Sequence, residues 1–131
     1  MKTLIAEDDF TSRLLLQEIL SSYGPTHVAV NNQKTVDAIK TAIKASKPYE
    51  LICLDIMMPE MDGHEVLKQI RAFERAGGTP AGKGVKVIMT TALRDKTNVL
   101  AAIGEGCDAY LVKPFDKAKL QSHLRSFGLI E

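Results

Sequence analysis

Short apolar runs alternate along the chain with segments whose apolar residues recur at helical spacing. The apolar runs indicate buried strands at Thr3–Ala6, His27–Val30, Leu51–Leu54, Val85–Thr90 and Ala109–Val112. The helical segments are Phe10–Tyr23, Gln33–Ser46, the stretch that follows Asp62, Lys96–Glu105 and Lys117–Phe127. Repeated alternation of strand and helix predicts an α/β fold with a parallel sheet covered on both faces.

The pattern also predicts details within the helices. Val36, Ile39 and Ile43 share one face of the second predicted helix, and we expect them to pack inward. Asp62, followed by Glu65 three residues later, is close to a capping box and would begin the third helix.

The length of 131 residues favours one domain that spans residues 1–131, without an output domain. A closed eight-stranded α/β barrel would need about 250 residues. We therefore expect an open, doubly wound sheet.

Composition and charge narrow the possible functions. The formal net charge of +1 disfavours nucleic-acid binding as the main function, because phosphate neutralisation needs a basic surface. No stretch is apolar enough to span a bilayer, and the first apolar run is too short for a signal peptide, so we expect a cytoplasmic protein. We expect Cys53 and Cys107 to be buried free thiols.

Polar residues follow the predicted strands where each strand ends. In open α/β sheets, ligands bind beyond the carboxyl ends of the strands, and those ends share one edge. The residues placed there are Glu7, Asp8, Asp9, Asp55, Thr90, Thr91, Lys113 and Pro114. Of these, we interpret Asp9 as the N-cap of the first helix.

Several carboxylates in one small site repel each other unless a cation is present. Hard oxygen ligands favour Mg²⁺, Mn²⁺ or Ca²⁺ over zinc. Lys113 adds a positive charge to the same edge. A carboxylate can attack phosphorus to give an acyl phosphate, while metal and ammonium offset the charge of the phosphoryl oxygens. The residues at the carboxyl ends of the predicted strands therefore suit phosphorylation of an aspartate.

Four segments together resemble the receiver domain of two-component response regulators, in its stand-alone CheY-like form. They are Leu4–Asp9, Asp55–Gly63, Thr91-Ala92 and Lys113–Phe115. The resemblance extends over essentially the whole chain. It implies a flavodoxin-like sheet with strand order 2-1-3-4-5, and a signalling switch rather than an enzyme in the usual sense.

The resemblance also implies the chemistry of the acidic site. Asp55 would accept a phosphoryl group from the phosphohistidine of a sensor histidine kinase or a phosphotransfer protein. Asp8 and Asp55 would bind Mg²⁺ directly, Met57 through its backbone carbonyl and Glu7 through water. Mn²⁺ would be able to substitute.

The remaining implied roles concern activation. Thr91 and Lys113 would contact the phosphoryl group, and the Lys113-Pro114 peptide bond would be cis. Tyr110 would turn inward when Thr91 moves. The face made by the fourth helix, fifth strand and fifth helix would then bind a downstream target protein. The resemblance leaves a monomer or a weak dimer open, with no direct role for membrane or nucleic acid.

Three other functions compete with this interpretation. A haloacid-dehalogenase-like phosphatase would need an acid two residues after Asp55, where this chain has Met57. A flavodoxin-like flavin carrier would need a hydroxyl-rich phosphate loop after the first strand, where acids stand instead. A pseudo-receiver that only binds proteins would not need the complete set of acids, threonine and lysine.

Residues 77–84 mimic a phosphate-binding P-loop. Gly84 replaces the required Ser or Thr, and the order of elements is helix, loop, strand rather than strand, loop, helix. We interpret Arg75–Gly84 as a surface loop at the end of the sheet opposite Asp55.

The residues two positions after Asp55 and Thr91 predict slow self-dephosphorylation. They are Met57 and Leu93, and neither side chain can orient an attacking water by hydrogen bonding. We expect Met57→Asn combined with Leu93→Glu to speed loss of the phosphoryl group, followed by intact mass over time. An unchanged hydrolysis rate would contradict the hypothesis.

Overall fold

The computed structural model describes residues 1–58, 61–80, 82–92 and 106–131. Its main sheet has five strands: β1 (Thr3–Ala6), β2 (Thr26–Ala29), β3 (Leu51–Asp55), β4 (Lys86–Ala92) and β5 (Ala109–Lys113). All neighbouring strands are parallel, in the spatial order β2-β1-β3-β4-β5. The predicted doubly wound sheet and its strand order are confirmed.

Four α-helices are described: α1 (Phe10–Leu20), α2 (Asn32–Lys44), α3 (Gly63–Ala76) and the C-terminal helix (Lys117–Ser126). A short 3₁₀ turn, Ser21–Tyr23, extends α1, and an antiparallel pair of two-residue strands, Met57–Met58 with Met61–Asp62, precedes α3. The predicted helix Lys96–Glu105 lies outside the described residues. Within the described ranges, no helix is both long and apolar enough to cross a membrane.

The sheet separates two apolar cores. Ile52 and Leu54 of β3 point toward α2 and α3, whereas Leu51 and Cys53 point toward α1 and the C-terminal helix. Every residue of β3 is buried, and its sequence is accordingly a continuous apolar run that ends in the acid Asp55. The central strand therefore carries Asp55 to the edge of a sheet that is covered on both sides.

Side-chain caps fix where three helices begin. The Asp9 carboxylate accepts a hydrogen bond from the backbone N–H of Ser12 at 2.9 Å, as predicted. Asn31 accepts in the same way from Lys34 at 2.8 Å, and Asp116 caps the C-terminal helix. The helix α3 begins directly after Asp62, whose side chain is not described. Each cap satisfies backbone N–H groups that the first turn leaves unpaired.

The second helix departs from its prediction in two ways. Its buried stripe passes through Val36, Ile39 and Ala42, so Ile43 is 37% exposed rather than packed inward. The helix ends at Lys44, before the predicted Ser46, which has a left-handed backbone with φ of 58°. That conformation is incompatible with another helical turn.

Arg71 of α3 joins the amino ends of β4 and β5. Its guanidinium donates to the Gly106 carbonyl at 2.9 Å and to the Val85 carbonyl at 2.9 Å. It also pairs with Glu74 at 2.8 Å and with Asp108 at 3.0 Å. This network holds the end of the sheet opposite Asp55, and the sequence analysis did not predict it.

Candidate functional site

The acidic site forms where β1 and β3 end side by side. Ala6 pairs with Leu54 in register, so Glu7 and Asp8 leave β1 beside Asp55. One carboxylate oxygen from each of the three residues lies within 4.8 Å of the others. Glu7 and Asp55 are buried and Asp8 is exposed. The structure thus brings together three of the acids that the sequence placed at this edge.

Lys113, the last residue of β5, reaches across β4 into this cluster. Its ammonium lies 2.7 Å from Glu7 Oε1 and 3.2 Å from Asp55 Oδ2. The peptide bond that follows, Lys113-Pro114, is cis. The Lys113 ammonium therefore contacts both buried carboxylates.

Burial dominates the electrostatics of the cluster. It raises the pKa of the Glu7 carboxyl to about 8, the hydrogen bond with Asp55 acts in the same direction, and the Lys113 ammonium opposes both. Burial alone would lower the pKa of Lys113, but the hydrogen bond to Glu7 and the charge of Asp55 outweigh it and leave that pKa raised. Lys113 therefore stays charged, while the Glu7 carboxyl takes up a proton far more readily than an exposed glutamate does when no further cation is present.

The fourth strand places two hydroxyls beside the acids. Thr90 pairs in register with Asp55, and its carbonyl accepts from the Ile56 N–H at 3.0 Å. Thr91 is buried, and its hydroxyl donates to the Ala92 carbonyl at 3.1 Å. Tyr110 of β5 is 44% exposed and lies three residues before Lys113. Thr91 and Tyr110 are thus on neighbouring strands.

Gly63 is a residue of this site that the sequence analysis named only as the end of the segment Asp55–Gly63. Its N–H donates to the Ile56 carbonyl at 2.7 Å. A Cβ at this position would lie 2.5 Å from the Asp55 carbonyl oxygen and 2.9 Å from Ile56 Cα. Only glycine lets α3 start so close to the backbone of Asp55. The dipeptide Asp62-Gly63 next to an apolar helix was the available signal.

Two further candidates are only partly described. The backbone of Met57 lies in the two-residue strand that follows Asp55, and its side chain is not described. Leu93 lies outside the described residues, as does all of the predicted fourth helix. The hydrolysis hypothesis built on these two side chains therefore stays a prediction.

The donor set suits a small hard cation. Three carboxylates within 4.8 Å supply oxygen ligands, and two of them are buried with one shared ammonium as compensation. Mg²⁺ is bound through one or two carboxylates, water and phosphate oxygens, which an exposed Asp8 beside a buried Asp55 allows. The cluster has the chemistry to hold such an ion and a phosphoryl group.

Four backbone N–H groups of the P-loop-like segment already have partners, which argues against an anion nest. The backbone N–H groups of Gly77, Gly78, Thr79 and Lys83 each donate to a carbonyl of the same loop or of α3. A phosphate-binding loop instead aims such groups at its ligand. The segment is a surface loop at the opposite end of the sheet from Asp55, as the sequence analysis predicted.

Comparison with known proteins identifies a family. A family model described as the response regulator receiver domain matches residues 3–125. The match covers the whole of the main sheet and all of the acidic site.

Individual relatives agree with this match. The probable transcriptional regulatory protein SilR of Salmonella typhimurium is 32% identical over 126 residues, which are 96% of this chain and 50% of that protein. The peroxide stress-activated histidine kinase mak2 of Schizosaccharomyces pombe is 36% identical over 131 residues, which are 98% of this chain and 5% of that protein. The chain thus spans half or less of the length of these curated relatives.

A solved structure extends the likeness to the fold. It is the co-crystal structure of the Saccharomyces cerevisiae histidine phosphotransfer signalling protein Ypd1 and the receiver domain of its downstream response regulator Ssk1. The matched chain is 27% identical with a TM-score of 0.80, and the alignment covers 98% of this chain and 88% of that one.

Proposed function

This chain belongs to the response regulator receiver domain family, and on that premise we propose that it is a phosphoaccepting switch in a two-component phosphorelay. The observation that carries the proposal is the convergence of Asp55, two further acids and Lys113 in one site. Asp55 is the phosphoacceptor. The phosphorylated domain signals by changing which partner protein binds its surface.

In the proposed reaction, a carboxylate oxygen of Asp55 attacks the phosphorus of a phosphohistidine. The oxygen–phosphorus bond forms while the nitrogen–phosphorus bond breaks, and the imidazole leaves and takes up a proton. The product on the chain is an acyl phosphate. Lys113, already 3.2 Å from Asp55, pairs with the phosphoryl oxygens and limits repulsion between them and the buried acids.

Asp8, Asp55 and the backbone carbonyl of Met57 would hold Mg²⁺, with Glu7 acting through water; Mn²⁺ would be able to replace it. When bound, the ion supplies positive charge to the transferring phosphoryl oxygens. The close spacing of the carboxylates supports this assignment, because their mutual repulsion favours a cation between them.

In activation, a movement of Thr91 at the site would change the exposed surface of the domain. We propose that Thr91 hydrogen-bonds the phosphoryl group, since it lies on the strand beside Asp55. Its hydroxyl donates to the Ala92 carbonyl, a bond that it is able to exchange. Movement of Thr91 would let Tyr110, now 44% exposed, turn inward. The surface around Tyr110, β5 and the C-terminal helix would then favour a different partner.

The proposed partners are a phosphohistidine donor and a downstream target protein, both in the cytoplasm. The likeness to the receiver domain crystallised with a phosphotransfer protein supports the donor class. The test of the proposed function is intact mass after incubation with acetyl phosphate, with and without Mg²⁺. A single Mg²⁺-dependent phosphoryl adduct is expected. No adduct from acetyl phosphate or from phosphohistidine donors would instead favour a pseudo-receiver that only binds proteins.

The raised pKa of Glu7 predicts pH-dependent magnesium binding. A carboxyl with a pKa of about 8 is protonated below that pH, and a cation in the cluster must displace the proton. We expect the apparent Mg²⁺ affinity to rise by up to about tenfold per pH unit below a pH of about 8 and to level off above it. Isothermal titration in two buffers of different ionisation enthalpy measures both the affinity and the proton release.

The matched variant for this titration is Glu7→Gln, which keeps the shape of the side chain and cannot titrate. Its Mg²⁺ affinity is expected to stay nearly constant over the same pH range. A wild-type affinity that is equally flat would contradict the assignment of the proton to Glu7.

The first helix predicts where a protein donor docks. Phe10 and Leu14 are 65% and 53% exposed, and their spacing puts them on one face of α1, next to the acidic site. We expect the double variant Phe10→Ala, Leu14→Ala to slow transfer from a phosphorylated histidine phosphotransfer protein by roughly 30-fold. Transfer from acetyl phosphate, which needs no docking, is expected to be unchanged.

Val28→Ala supplies the control for that experiment. Val28 is also apolar and 37% exposed, but it lies on the edge strand β2. The Val28→Ala variant should accept the phosphoryl group from the phosphotransfer protein and from acetyl phosphate as fast as wild type does. Equal slowing of the acetyl phosphate reaction in the α1 variant would show damage to the site rather than loss of docking.

A further inference from the structure

A cavity of about 670 Å³ lies at the end of the sheet opposite Asp55. Its walls come from the end of α2, the end of α3 and the starts of β3 and β4. They are mainly apolar, with Ile39, Ile43, Ile52, Phe73 and Val85 among the lining side chains. Cavities of about 300–1,000 Å³ with apolar walls and a few polar groups are the usual sites for small molecules.

Both acids that line this cavity already have a donor or a cation beside them. Glu74 accepts from Arg71 at 2.8 Å and from the Val85 N–H at 2.7 Å, so both of its oxygens are engaged. Glu50 accepts from the Lys2 N–H at 3.2 Å and lies 3.9 Å from the N-terminal ammonium. The Glu74 carboxylate is therefore fully engaged, and Glu50 already lies near one positive charge.

Two lysines line the cavity, and one of them, Lys86, lies 3.8 Å from the Asp108 carboxylate. The other is Lys83, and across the described part of the chain no carboxylate pairs with its ammonium. The ammonium of Lys40 lies 5.8 Å from the centre of the Phe73 ring, which itself lines the cavity. The apolar space is therefore bordered by the ammonium groups of Lys83 and Lys40, which have no carboxylate partner among the described residues.

The loop next to Lys83 argues against a phosphate as that partner. The backbone N–H groups of Gly77, Gly78, Thr79 and Lys83 are bonded within the chain, so a phosphate would find none of these four donors free. A carboxylate needs only one or two donors, which lysine ammonium groups supply as point charges.

We propose that this cavity binds a hydrophobic carboxylate, with its apolar body against Ile39, Ile43 and Phe73 and its carboxylate at Lys83. The site is separate from the phosphoacceptor chemistry and does not rest on it. A small acid of this kind would bind whether or not Asp55 is phosphorylated.

The test uses octanoate as the probe and the uncharged octanamide as its matched control. Amide shifts in ¹H–¹⁵N correlation spectra of the isotope-labelled full chain report where each probe binds. We expect saturable shifts for octanoate at residues around the cavity, with a dissociation constant at or below about 1 mM. Octanamide is expected to bind at the same place and more weakly. The variant Asp55→Asn should bind octanoate as wild type does.

Two variants separate the charge from the apolar contact. Lys83→Gln should weaken octanoate binding about fivefold and leave octanamide binding unchanged. Ile43→Glu places a carboxylate on a partly exposed wall residue and should abolish octanoate binding with little risk to folding. Lys119→Gln, on the exposed side of the C-terminal helix, is the control and should change neither.

Three results would overturn the proposal. The first is the absence of saturable shifts in wild type, and the second is shifts centred outside the cavity. The third is a concentration-dependent dimer, seen by sedimentation, that Ile43→Glu dissociates, because the cavity wall would then belong to an interface between two copies of the chain.

Discussion

Asp55→Asn is expected to lower phosphorylation by acetyl phosphate at least about a thousandfold, to below detection by intact mass. Asparagine has nearly the same shape, so the end of β3 and its packing should persist, but an amide is a very poor nucleophile toward phosphorus. The substitution also removes one of the three clustered carboxylates and one partner of Lys113. Because the shape is kept, loss of the adduct would reflect the missing carboxylate of Asp55 rather than unfolding of the domain.

Asp9→Asn is the matched control, since it makes the same chemical change two residues from Glu7. Asp9 is an exposed helix cap, and asparagine caps helices about as well as aspartate. Its phosphorylation should equal that of wild type. If Asp55→Asn still gained one phosphoryl group, peptide mapping would locate it on another residue, and Asp55 would not be the acceptor.

Gly63→Ala is expected to damage both stability and phosphorylation. The new Cβ would lie 2.5 Å from the Asp55 carbonyl oxygen and 2.9 Å from Ile56 Cα, so the backbone on one side must move. Overpacking of this kind costs about 2 to 3 kcal/mol in the free energy of unfolding. Because the displaced backbone is that of Asp55, we also expect phosphorylation to slow by about a hundredfold.

Gly77→Ala is the control glycine for this prediction. A Cβ there would lie 3.6 Å from the carbonyl oxygens of Phe73 and Glu74, which is ordinary contact. Urea unfolding measures stability, and the acetyl phosphate reaction measures phosphorylation. A Gly63→Ala protein with wild-type values of both would show that α3 can shift away from Asp55 without consequence.

The sequence was sufficient for the fold because each strand is a short apolar run bounded by polar residues. Leu51–Leu54, for example, is fully buried in the structure, and the strand extends by one residue to Asp55. The details that failed depend on packing between elements. Ile43 continues the apolar stripe of its helix, yet it faces a cavity rather than a neighbouring side chain and stays 37% exposed.

The candidate site was predictable for a related reason. Parallel strands bring their carboxyl ends to one edge, so the order of elements alone placed Glu7, Asp8, Asp55 and Lys113 together. The sequence had no means to predict that Lys113 lies closer to Glu7 than to Asp55, because side-chain reach depends on the twist of the sheet. The network around Arg71 was missed as well, since two of its four acceptors are backbone carbonyls, which carry no residue signature.

The burial of Glu7 sets a trade-off between activity and stability in this domain. A fully buried carboxyl next to a second buried acid is a place where an apolar side chain would give a more stable protein. Selection for stability alone would therefore remove the group that the proposed switch needs. At this edge of the sheet, substitutions that stabilise the fold would most readily inactivate the domain. Elsewhere in the two cores, substitutions are able to raise the free energy of unfolding without loss of phosphorylation.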